Sequence, residues 1–119
     1  MILAALFGLG LIGVAFALSG DVREEVIKDA DGRPYRFRFV KENGAWKVYV
    51  VSMPWKRANW SHYSDHDIHM FKDRNELCLS TGEITDFDTA YKRTVLWANG
   101  FSFLMENGLA ETKRVIPEW

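Results

Sequence analysis

The chain has 119 residues, which fits one domain and no more. Its 15 basic and 16 acidic side chains nearly cancel, so neither a nucleic-acid-binding basic excess nor an acidic tail is present. A single cysteine excludes an intrachain disulfide.

Residues 2 to 18 carry no charged side chain, and every charge follows residue 20. A run of about 17 to 19 such residues is near the lower limit for a membrane-crossing helix. Gly8, Gly10 and Gly13 are tolerated in a bilayer and let another helix approach. Ala15-Phe16-Ala17 also fits a signal-peptidase cleavage pattern, but no Lys or Arg precedes the apolar run. The expectation is therefore an anchor or uncleaved signal over 1–20, held in membrane lipid by residues 2–19, and a soluble domain over 21–119. Arg23, Lys28, Arg33, Arg36 and Arg38 follow the run, so the positive-inside rule expects a single-pass protein with its domain in the cytoplasm.

Val22 to Lys28 precedes an Asp29-Ala30-Asp31-Gly32 turn signal. From Pro34 to Lys41, Tyr35, Phe37 and Phe39 alternate with Arg36 and Arg38, the period of a half-buried strand. Asn43-Gly44 is a strong hairpin signal, and Trp46, Val48 and Val50 share one face of the next strand. Pro54 closes this meander, and Lys56 to Asp67 reads as a loop; were the chain a non-catalytic interaction module, Trp55 and Trp60 would be its contact residues.

Ile68 to Phe71 and Leu77 to Leu79 flank a polar centre, Lys72 to Glu76, which reads as a second hairpin. A helix follows from about Thr89 to Asn107, capped by Asp86 or Asp88 and stopped at Gly108. Its apolar stripe is Ala90, Tyr91, Val95, Ala98, Phe101 and Met105. Gly100 costs roughly 1 kcal/mol against Ala and marks a place for a break. Pro117 and Trp119 read as a packed tail. The expected fold is α+β: an N-terminal transmembrane helix, then an antiparallel β-meander with the C-terminal helix packed on one face.

Two groups of residues bear chemistry. His62, His66 and His69 are spaced so that one helix face would present three imidazoles to zinc or iron. Their segment lacks a helical pattern, so the metal reading ranks low and no cofactor is expected. Cys78, facing His69 across the hairpin, is either a small buried hydrophobe or a nucleophile at a strand end. The thiolate is the reactive form, and a free thiol with pKa about 8.5 is mostly protonated at neutral pH.

His69-Met70-Phe71, Asp73 and Leu77-Cys78-Leu79 together resemble the active-site stretch of bacterial ubiquitin-conjugating-enzyme-like proteins. Trp97, Phe101, Phe103 and Asn107-Gly108 are similar to that family's C-terminal helix. The resemblance covers about residues 33 to 110 and implies an antiparallel sheet with a helix packed on it. It further implies that Cys78 carries a ubiquitin-like protein as a thioester, supplied by an activating enzyme, with no metal or cofactor. It gives His69 the role of positioning the loop or raising the thiolate fraction, and leaves Asn75 as the one residue to serve the oxyanion. The rival expectations are a non-catalytic accessory subunit of a larger membrane complex, acting through protein–protein interaction, and a metal-binding domain.

Overall fold

The computed structural model describes residues 21–119. Strands β1 (Val22–Lys28), β2 (Pro34–Glu42) and β3 (Ala45–Ser52) form an antiparallel meander. Two single-turn helices follow, α1 (Arg57–Trp60) and α2 (Asp65–Ile68). A miniature hairpin, β4 (Met70–Phe71) and β5 (Glu76–Leu77), then adds to the sheet through β5. The five strands run in the order β1-β2-β3-β5-β4. A long helix, α3 (Phe87–Asn107), and a short one, α4 (Leu109–Val115), complete the chain.

Local chemistry accounts for the boundaries. Asn43 and Gly44 take φ of 53° and 80°, the left-handed pair that a two-residue hairpin turn requires. Asp86 caps α3 by accepting the Thr89 N–H at 2.9 Å. Hydrogen bonds from Thr89 hold the Asp86 carboxyl below its ordinary range. Gly108, at φ 86°, ends the helix.

One face of the sheet is covered by α3. Tyr35, Phe37, Phe39, Trp46, Val48 and Val50 alternate inward, as period two dictates. They meet Ala90, Thr94, Trp97, Ala98, Phe101 and Leu104, the buried stripe of the helix. Trp97 sets its ring edge against both Tyr35 and Phe37, with centroids 6.0 Å apart in each case. Its indole N–H donates to the Ile68 carbonyl at 2.9 Å, which ties α2 to the core.

Several expectations are corrected here. Among the described residues no helix is long and apolar enough to cross a membrane. The longest, α3, carries Asp88, Lys92, Arg93 and Glu106 and packs against the sheet. The described residues thus form a five-stranded antiparallel sheet with a C-terminal helix, and the expected transmembrane, single-pass element is not among them. The anchor and its boundary at residue 20 lie outside the described residues, as does the cleavage pattern at Ala17.

The segment read as a loop contains α1 and most of α2, too short for any periodicity to reveal. Ile68, read as strand, ends α2, and the hairpin strands shrink to Met70–Phe71 and Glu76–Leu77. The α3 helix starts at Phe87 and runs through Gly100 without a break.

Candidate functional site

Burial along the residues that leave β5 decides where the thiol points. Leu77 is buried, Cys78 is exposed and Leu79 packs against the core from a half-buried position. The two leucines turn inward, so the residue between them turns outward. Cys78 is thus no part of the core.

The position of Cys78 is fixed through the backbone. Met70 pairs with Leu77, and one step further the Cys78 N–H donates to the His69 carbonyl at 2.9 Å. The turn joining the two strands is closed by the Arg74 N–H donating to Phe71 O at 3.2 Å. Asn75 completes it in the left-handed region, at φ 54°. The hairpin is fastened to β3 by the Tyr49–Glu76 pairing and by the Val50 N–H donating to Asn75 O at 2.9 Å.

Beyond Cys78 the chain swings away from β3 through Ser80 and Gly82. It returns where the Ile84 carbonyl accepts the Trp46 N–H at 2.8 Å. Between these two attachments lies an open groove of about 350 Å³. Trp46 and Val48 line it from β3, Phe71 and Leu77 from the hairpin, and Leu79, Gly82 and Glu83 from the returning segment. Cys78 is among its lining residues. Arg93 of α3 donates to the Leu79 carbonyl at 3.1 Å and pins the segment just past the thiol.

His69 is placed differently from its partner. It caps the C-terminal end of α2 in the left-handed conformation, at φ 52°. Its Nε2 forms a short hydrogen bond with the main-chain oxygen of Trp119, and the Trp119 ring stands edge-on at 4.7 Å. So His69 meets Cys78 through its carbonyl, while its Nε2 is engaged by Trp119. Asn75 lines a separate depression of about 330 Å³ with Met53, Trp55 and Trp60, and is not among the residues lining the thiol groove.

The three histidines do not share a helix face. His62 lies after α1, His66 within α2 and His69 past its end. The His62 ring lies against Tyr63, with centroids 4.2 Å apart, and the His66 and His69 rings are 5.9 Å apart. Among the described residues no group of three or more His, Cys, Asp or Glu side chains is arranged to hold a metal ion.

The two loop tryptophans belong to the packing. Trp60 is buried with its ring set edge-on to Phe101, at 71° and with centroids 6.3 Å apart. Trp55 donates its N–H to the Tyr35 hydroxyl at 2.9 Å. The tail expected to pack at Trp119 does so; its seat on His69 and Gly100 is the contact that sequence reasoning missed.

The site is thus an exposed thiol on the rim of an open groove, on a sheet covered by one helix. No family model, curated protein or solved structure matches the chain.

Proposed function

We propose that the chain is an acyl carrier of the ubiquitin-conjugating kind, with Cys78 as its nucleophile. The observation that carries this reading is the outward turn of Cys78 between two inward-facing leucines, at the mouth of a groove. The Cys78 thiolate attacks the carbonyl carbon of an activated acyl thioester, the C-terminal carboxyl of a ubiquitin-like protein. A new C–S bond forms and the original thiol leaves. An amine then attacks the same carbon, the C–N bond forms, and Cys78 departs as the thiolate and is reprotonated. The groove gives an extended acyl tail a place to lie between β3 and the returning segment. The resemblance of residues 69 to 79 to that family's active-site stretch supports the same reading. In it His69 positions the hairpin through its carbonyl.

The test is transfer from a synthetic glycine-terminated peptide thioester to the whole chain, followed by intact mass. Because the chain holds one cysteine, a hydroxylamine-labile adduct reports Cys78 directly. The expected result is an adduct that forms at least tenfold faster on the folded protein than on the urea-unfolded one, and none on Cys78→Ala. A folded rate equal to or below the unfolded rate would refute acyl transfer.

A further inference from the structure

The C-terminal residues reach back to the site. The Trp119 N–H donates to Ile116 O at 2.9 Å, closing a turn after α4. Its indole N–H donates to the Asp67 carbonyl at 2.8 Å, and its main-chain oxygen binds His69 Nε2. Both contacts fall on the last turn of α2 and its cap. The indole itself lies on α3 at Gly100, in space that any side chain there would fill. His69 is held in a left-handed conformation that a residue with a Cβ rarely adopts, and its carbonyl is the acceptor for the Cys78 N–H. One short chain of contacts therefore runs from Gly100 through Trp119 and His69 to the backbone of Cys78.

We propose that Trp119 is a positioning residue for Cys78. It locks the His69 turn from which the β4–β5 hairpin departs, and so fixes where the thiol stands at the groove. The proposal rests on the reading of Cys78 as the working group. Trp119 is not among the residues that line the groove; its indole seats the tail on Gly100 and the Asp67 carbonyl, and so holds its main-chain oxygen on His69.

Residue-resolved amide hydrogen exchange of Trp119→Ala against the wild-type full chain tests this. The Cys78 amide is bonded to His69, whereas the Trp46 and Val50 amides are bonded to Ile84 and Asn75 on either side of it. Exchange at Cys78 is expected to rise at least tenfold, with Trp46 and Val50 within twofold of wild type. An unchanged Cys78 amide overturns the proposal. A common rise at all three overturns it as well, because the tail then only stabilises the fold at large. Should Trp119→Ala not fold, Trp119→Phe keeps a ring over Gly100 and loses the bond to Asp67. The same pattern is expected there, with at least a threefold rise at Cys78.

Peptide-thioester acylation is read on the same samples. A wild-type acylation rate in Trp119→Ala overturns the positioning role even where the amide moves. The expected exchange pattern, in a wild-type chain that takes no acyl group, supports the strap and refutes acyl transfer alone.

Discussion

The indole of Trp119 occupies the space that a Cβ on Gly100 would need, since that Cβ would lie 2.5 Å from Trp119 Cζ3. In an isolated helix Gly100→Ala gains about 1 kcal/mol. Here the methyl group forces the ring aside, and overpacking costs about 1–3 kcal/mol. The net expectation is a loss on the order of 1 kcal/mol, read as a lower urea midpoint. In a Trp119→Ala background the ring is gone and the same substitution is expected to stabilise. A double-mutant cycle in which the two changes simply add would show that the ring and the glycine do not interact.

Asp29 is a main contributor to the acid side of the stability profile, beside Asp86 and Glu111, whose carboxyls hydrogen bonds also lower. It is buried beneath the β1–β2 turn and receives Ser102 Oγ at 2.6 Å, Arg33 Nε at 2.7 Å and the N–H groups of Asp31 and Arg33. Burial pushes its carboxyl up. The hydrogen bonds from Ser102, Arg33 and the backbone outweigh that and hold it at about 2. A depressed carboxyl favours the folded state above its unfolded value of about 3.9. That contribution is therefore complete above pH 5 and lost as pH falls toward 2. Asp29→Asn is expected to cost about 1–3 kcal/mol at pH 7 and to flatten the urea midpoint between pH 5 and 2. An acid slope as steep as wild type would place the titration on another group.

Much of the sheet was legible because its signals are local. Alternation in Tyr35-Phe37-Phe39 and Trp46-Val48-Val50, with Asn43-Gly44 between them, needs no tertiary information. The exposure of Cys78 was legible only as a choice, because alternation between Leu77 and Leu79 shows which residues oppose each other and not which side is the core. Trp119 was legible as a packed tail, but what it packs on was not. Its partners Asp67, His69 and Gly100 lie 52, 50 and 19 positions away, and no periodicity spans such gaps. The burial of Trp60 was not legible for a related reason, since it depends on Phe101 of α3 arriving beside it. The α3 stripe was displaced toward Trp97 and Leu104, because the sheet meets the helix on that side.

Tyr35 ties the sheet to α3 and sets the alkaline side. Its hydroxyl lies 2.6 Å from Ser102 Oγ and accepts from Trp55 Nε1. Since Ser102 donates to Asp29, the phenol donates to Ser102. Burial pushes the Tyr35 phenol up to about 12. A raised phenol contributes stability that is complete below its unfolded value of about 10 and is lost as pH rises through 12. Tyr35→Phe is expected to cost about 1 kcal/mol at pH 7. The gap between variant and wild type should narrow from pH 9.5 to 11.5, a range checked by urea titration at each pH. A constant gap would mean that the phenol titrates alike in both states.

Leu77 and Cys78 are neighbours with opposite energetic roles. Leu77 is 5% exposed and lies in the hydrophobic core cluster, so Leu77→Ala leaves a cavity and is expected to cost about 2–5 kcal/mol. Cys78 faces solvent, so Cys78→Ser is expected to change stability by less than about 0.5 kcal/mol. Both are read from thermal and urea unfolding of the whole chain. A large loss for Cys78→Ser would mean that the thiol is packed in solution. It would then be unavailable to an acyl donor, and the proposed chemistry would fail before any substrate was tried. Stability unchanged by the serine, with the fold intact, makes Cys78→Ser a clean reagent. An oxyester on that serine resists hydroxylamine better than the thioester it replaces, so an acyl group caught there can be isolated and its attachment point read by mass.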